Sequence, residues 1–100
     1  METKEAVKEN TGIDIREPKQ YKVIMLNDDF TTMDFVVRIL TEIFNKDRLS
    51  ARALMLMVHK RGSASVGCYP YDIAMSKADK AMSMAKKEGF PFRMRVEEAK

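Results

Sequence analysis

Between Tyr21 and Phe44 the spacing of apolar residues changes period, which excludes any single element across that stretch. The segment YKVIML places Tyr21, Val23 and Met25 on one side of an extended chain and Ile24 and Leu26 on the other, the pattern of a strand covered on both faces. NDDFTT follows, a run of turn formers and cap residues. Met33, Val36, Val37, Leu40, Ile43 and Phe44 then recur at offsets 0, 3, 4, 7, 10 and 11, one face of a helix. Thr31, with Asp34 three residues on, resembles a capping box with Asp in place of Glu. The helix is therefore predicted to start there and run to about Phe44.

A second helix is predicted from near Asp47 to near Gly62. Leu49, Ala53 and Leu56 form one stripe on it and Met55, Val58 and His59 a neighbouring one, each facing a different neighbour. SASVGCY reads as a short strand with a bulge at Gly67. Ala74, Ala78, Ala81, Met82 and Ala85 mark a third helix, closed by Gly89 ahead of Pro91, and its small residues imply close packing. Phe92, Met94 and Val96 alternate with Arg93, Arg95 and Glu97, the period of a strand with one wet face. The expected fold class is α+β, a small three-stranded antiparallel sheet packed against three helices in the order β-α-α-β-α-β.

A chain of 100 residues holds one core; by area scaling, roughly 65% of the extended chain's surface leaves water on folding. Residues 1–17 are polar with scattered aliphatics, so ordering them would bury little against the entropy lost. They read as a flexible N-terminal extension ahead of a core domain over 18–100. No apolar run reaches the roughly 18 residues that cross a bilayer, and no targeting pattern is visible, so the chain reads as soluble with no membrane partner. The lone Cys68 cannot form an internal disulfide, and with the lone His59 it falls short of a zinc framework. Neither an EF-hand loop nor a Gly-rich phosphate cradle is present, and no nucleophile with its base can be read from spacing. No catalytic residue, metal or cofactor is expected, and the chain does not read as an enzyme. Residues 18–100 hold 15 basic against 10 acidic side chains, a net +5 that attracts acidic partners without naming one.

Two constellations remain. Asn27, Asp28 and Asp29 sit at a strand-to-helix junction, where such residues ordinarily bond nearby backbone amides. The same oxygens also make an acceptor-rich nest for a protonated amine, which presents three donors and no acceptor. His59 lies beside Met55 and Val58, either as a satisfied structural residue or as a further acceptor through a neutral ring nitrogen. The nine methionines are ordinary core filler, or the lining of a pocket that repacks around several large apolar side chains.

The residues that raise these questions also carry a resemblance. YKVIMLNDDFTTMDFVVRIL, ALMLMVHKRG, VGCYPYDIAMSKADKA and FPFRMRVEE, in that order within residues 18–98, resemble the ClpS family. ClpS proteins are adaptors that recognise the N-terminal residue of proteins bearing an N-degron and deliver them to ClpA, or a related AAA+ unfoldase, of the Clp protease. The resemblance implies Asn27, Asp28 and His59 at the substrate α-amino group. It implies Thr31, Met33, Val36, Met55, Val58 and Phe92 around the first side chain, which would be Leu, Phe, Tyr or Trp. The residue at the Met33 position crowds β-branched side chains near the entrance. Asp72 and Lys77 are implied to meet the N-domain of the unfoldase, and the extension over 1–17 to engage it during processing. The chain is then expected to be a bacterial cytoplasmic monomer with N-degron proteins and the unfoldase as partners, and no nucleic acid.

The sequence departs from the family pattern at Phe92 for Leu, Phe30 for Tyr, Thr32 for Pro and Pro70 for a capping Thr. Phe92 would make the pocket shallower and bears on acceptance of Trp. Two alternatives stand beside the main reading: a divergent ClpS paralogue with altered degron preference, and a small basic RNA-binding domain. Dispersed Lys and Arg, and the lack of a paired aromatic strand motif, weigh against the second.

Overall fold

The computed structural model describes residues 18–100, and the extension expected over residues 1–17 lies outside the described residues. Strand β1, Gln20–Leu26, is the middle strand of an antiparallel sheet in the order β2-β1-β3, with β2 at Ser63–Pro70 and β3 at Arg93–Glu98. Helices α1, Met33–Glu42, and α2, Arg48–Arg61, lie between β1 and β2 in sequence, and α3, Tyr71–Lys87, lies between β2 and β3. The fold is α+β, with the expected element order.

Val23 and Met25 are fully buried and join Ala64, Val66, Phe92 and Met94 in a core on one face of the sheet. The other face corrects the expectation of a strand covered on both sides. There Ile24 is buried between its cross-strand neighbours Ser65 and Arg95, whereas Lys22 and Leu26 are only half-buried. The ladder shifts register between Val23, opposite Gly67, and Ile24, opposite Ser65, so the extra residue of the bulge is Val66, next to the expected Gly67. Gly67 is bare because the Tyr69 ring lies over it; a Cβ there would meet Tyr69 Oη at 2.5 Å.

Helix α1 begins one residue later than predicted. Thr32, not Thr31, is its N-cap, with Oγ1 accepting from the Phe35 amide at 3.2 Å. The helix ends at Glu42, but Ile43 and Phe44 stay buried beyond its last turn. Phe35 and Ile39 are also buried, so the inner face is wider than the predicted stripe; Phe35 packs against Phe90 and Phe92 with ring centroids 5.1 and 6.0 Å away. Met33, the first residue of that stripe, is instead 67% exposed.

Asp47 caps α2 by accepting from the Ser50 amide, and Gly62 ends it in the left-handed region at φ 88°. Only Ala51 and Val58 of α2 are buried, with Leu54 and Met55 packed partly against the core. The stripe of Leu49, Ala53 and Leu56, expected to face a neighbour, faces solvent. A helix at the margin of a small domain buries one narrow line, and Ala51 with Val58 already supplies it.

Ala74, Ala78, Ala81 and Ala85 are all buried, which lets α3 approach closely. Its N-cap is Pro70, without a side-chain hydrogen bond, and its C-terminus closes where Gly89 takes φ 80° and the Phe90 amide returns to the Ala85 carbonyl at 2.9 Å. Lys77 joins α3 to α1: Nζ donates to the Ile43 carbonyl at 2.7 Å, lying 5.8 Å from the Phe44 ring centre and 5.2 Å from that of Tyr69. It thus brings to the C-terminal end of α1 the positive charge that the helix's own last turn lacks.

Candidate functional site

The turn between β1 and α1 is organised by Asp28. Its Oδ1 accepts from the amides of Phe30 at 2.8 Å and Thr31 at 2.7 Å, and its Oδ2 accepts from the Thr31 hydroxyl at 2.7 Å. Partial burial pushes the carboxyl pKa up, but the bonds from Thr31 and Phe30 outweigh it and hold the group below its ordinary value. Asp28 is therefore a carboxylate at neutral pH, with three of its roughly four acceptor positions committed to the loop.

The same turn is pinned to the end of α2. The Asn27 amide donates to the Gly62 carbonyl at 2.9 Å, and the Gly62 amide donates to the Val58 carbonyl at 2.8 Å. His59 therefore emerges from the last turn of α2 beside the strand end that carries Asn27. Among the described residues, no hydrogen-bond partner holds either the Asn27 amide side chain or the His59 imidazole.

Between these elements lies a cavity of about 240 Å³. Met25, Val36, Val58 and Phe92, all buried, form its apolar inner wall, with Thr31, Met33 and Met55 around them. Asn27, Asp28 and His59 stand on its border. All nine residues implied at the amine or around the first side chain thus border one space. Met25, Leu26, Asp29 and Leu56 line it too; Asp29 belongs to the expected acceptor-rich nest, and the other three are additions made by the fold. Asp29 was visible as the third member of the NDD run, and Leu56 one turn before His59; nothing in the spacing distinguished Met25 from the rest of the core.

Asp72 and Lys77 lie elsewhere, on α3. Asp72 is exposed in the first turn, where the helix dipole favours a carboxylate, and Lys77 is half-buried, its ammonium bonded to the end of α1 as described above. At 100° per residue the two project about 140° apart around the helix and present no common face.

An apolar wall with an acceptor-bearing border can hold a cationic group that has a bulky apolar group next to it. The model of the family described as "ATP-dependent Clp protease adaptor protein ClpS" matches residues 16–95 of this chain. The chain belongs to the ClpS family. An ATP-dependent Clp protease adapter protein ClpS from Treponema denticola is 50% identical over 99 residues, covering 97% of this chain and 98% of the relative. The protein of the same name from Acetivibrio thermocellus is 50% identical over 91 residues, covering 91% and 92%. Among solved structures, that of Agrobacterium tumefaciens ClpS2 bound to L-phenylalaninamide superposes with a TM-score of 0.80 at 38% identity, covering 83% of this chain and all of that one. As a ClpS protein the chain is an adaptor of the Clp protease, a role defined by binding substrate and protease rather than by catalysis. Among the described residues, no helix is long and apolar enough to cross a membrane.

Proposed function

We propose that this ClpS protein binds polypeptides by a free N-terminal Leu, Phe, Tyr or Trp and delivers them to a ClpA-type AAA+ unfoldase. The observation that carries the reading is the cavity of about 240 Å³, apolar inside and bordered by Asn27, Asp28 and His59. A closed cavity of about 150 Å³ takes a benzene ring, so a phenyl or isobutyl group fits here with room to spare. A terminal amine, with an ordinary pKa of about 7.7–8.0, arrives largely protonated and needs acceptors in place of lost water. The Asn27 side-chain oxygen and a neutral imidazole of His59 supply them, and ionised Asp28 adds its charge. Phenylalaninamide, the ligand of the Agrobacterium relative, combines a free α-amino group, a phenyl group and an amide in the place of the next peptide bond. That is the first residue of a polypeptide in miniature, which supports the same use of this site.

Burying one Leu or Phe side chain contributes about 1.5–3 kcal/mol and each charge-assisted hydrogen bond about 1.5–3 before ordering costs, which points to micromolar affinity. Binding of that strength is released readily during delivery. For the unfoldase we assign exposed Asp72 as a contact. Lys77 joins it only by giving up its bond to Ile43, so Asp72→Lys is the cleaner test of the partner face: delivery falls and peptide affinity holds. The segment 1–17 is proposed as a flexible extension that engages the unfoldase; its removal lowers degradation and spares peptide binding.

The deciding experiment is a titration with peptides differing only in the first residue, each with a free or an acetylated terminus. Free Leu, Phe, Tyr and Trp peptides bind and their acetylated forms do not; equal binding of both forms would refute the reading. The RNA alternative finds little footing in the sheet, because Tyr21 and Tyr69 pack against the core and the opposite face carries Lys22, Ile24, Arg93 and Arg95 rather than stacking rings.

A further inference from the structure

Helix α2 contains no acidic residue, and its outward side carries exposed Arg48 and Arg52 beside the exposed Leu49, Ala53 and Leu56. Leu56 belongs both to this surface and to the cavity lining, so the surface is continuous with the site. At 100° per residue, Arg48, Arg52 and His59 fall within about 40° of one another around the helix, a single row leading away from the cavity. The acids that line the cavity, Asp28 and Asp29, lie in the β1–α1 turn, and Asp34 follows in the first turn of α1. Among the described residues, neither Arg48 nor Arg52 has an ion-pair partner.

We infer that α2 is a second recognition surface for the substrate, selecting carboxylates downstream of the N-terminal residue. The inference rests on the proposed use of the cavity and names a further property of the substrates it takes. The occupant is the continuation of the same polypeptide, because the row begins at His59, where the terminal amine is held. With a rise of 1.5 Å per residue, Arg52 stands roughly 10 Å and Arg48 roughly 16 Å along the helix from His59. An extended chain advances about 3.3 Å per residue, which brings its fourth residue opposite Arg52 and its sixth opposite Arg48. The charge order of the site, acidic at the turn and basic along α2, thus matches a segment that is cationic at its first atom and acidic a few residues later. Leu49, Ala53 and Leu56 offer apolar ground for the stems between.

The test is fluorescence anisotropy with three peptides sharing a free N-terminal Leu and identical second and third residues, with Glu, Gln or Lys at positions four to six. Each is titrated into the full chain and into the Arg48→Gln/Arg52→Gln variant. Two exposed pairs give a preference for Glu over Gln of about two- to fivefold at low salt, with Lys weakest. The Glu-to-Gln ratio falls toward one in the variant and in about 0.5 M salt. Equal affinity of the Glu and Gln peptides for the unaltered chain overturns the proposal, as does a preference that survives in the variant. If those two peptides bind equally while the variant delivers substrate poorly, the surface serves the protease side and the proposal falls. Failure of every free-terminus peptide to bind would instead take down the cavity reading, and this inference with it.

Discussion

The backbone amide of Asn27 donates to the carbonyl of Gly62 across 2.9 Å, joining the end of β1 to the end of α2. This bond links residues 35 positions apart and sets the imidazole one turn of helix from the acceptor-rich loop. It depends on a left-handed residue at 62, because only a chain that reverses there can leave α2 and enter β2 beside β1.

Gly62→Ala tests that dependence. Gly62 has φ 88° and a Cβ would meet nothing within 4 Å, so any penalty comes from the backbone alone. It amounts to about 1 kcal/mol, with a parallel loss of affinity for a free-Leu peptide. Urea denaturation measures the first and anisotropy the second; unchanged stability would show that the turn tolerates a side chain.

Met33 stands at the mouth of the cavity and is 67% exposed, so its truncation removes bulk without opening the core. Met33→Ala is expected to admit N-terminal Ile or Val, whose branch at Cβ lies near the entrance. Discrimination identical to that of the unaltered chain, in a peptide titration, would sink the idea.

Loss of either acceptor should weaken binding without unfolding the protein. His59 is exposed and Asn27 keeps its backbone bond in any variant, so His59→Ala and Asn27→Ala leave the melting curve nearly in place. A charge-assisted hydrogen bond of about 1.5–3 kcal/mol corresponds to a loss of roughly tenfold to a hundredfold in affinity. Unchanged affinity of His59→Ala for a free-Leu peptide would remove His59 from the role.

Asp28 carries a pH signature. Its carboxyl pKa lies below the ordinary value despite partial burial, because Thr31 and Phe30 donate to it. A depressed carboxyl contributes stability that is present above the unfolded value of about 3.9 and is lost as pH falls through the folded one. Asp28→Asn replaces one strong acceptor oxygen by a donor and should cost on the order of 1 kcal/mol near neutrality. The gap between the two proteins closes as pH falls below about 4, and denaturation at several pH values reads it. A gap that persists in strong acid would mean that Asp28 acts through shape rather than charge.

The order and type of the six elements were legible in the chain because each rests on local periodicity. The alternation from Phe92 to Val96, the alanine row of α3 and the glycines at 62 and 89 all act within a few residues of themselves. Local signals misplaced the cap of α1. Thr31 and Thr32 are equivalent in sequence, and the Asp28 carboxylate, by taking the Thr31 hydroxyl, leaves the cap to Thr32. They also misjudged Leu49, Ala53 and Leu56, since a stripe of aliphatic residues looks the same whether or not a neighbour covers it.

For the site, the chain by itself named the chemical types: an acceptor-rich turn, a lone imidazole, and unbranched apolar residues near both. What it could not state was their convergence. Asn27, His59 and Phe92 come from three distant segments, and only the antiparallel ladders and the Asn27–Gly62 bond bring them around one space. The same packing decided that Lys77 holds the end of α1 while Asp72 stays exposed. Hydrophobic period and turn chemistry are properties of neighbours along the chain, whereas a cavity is a property of what the folded backbone leaves unfilled between them.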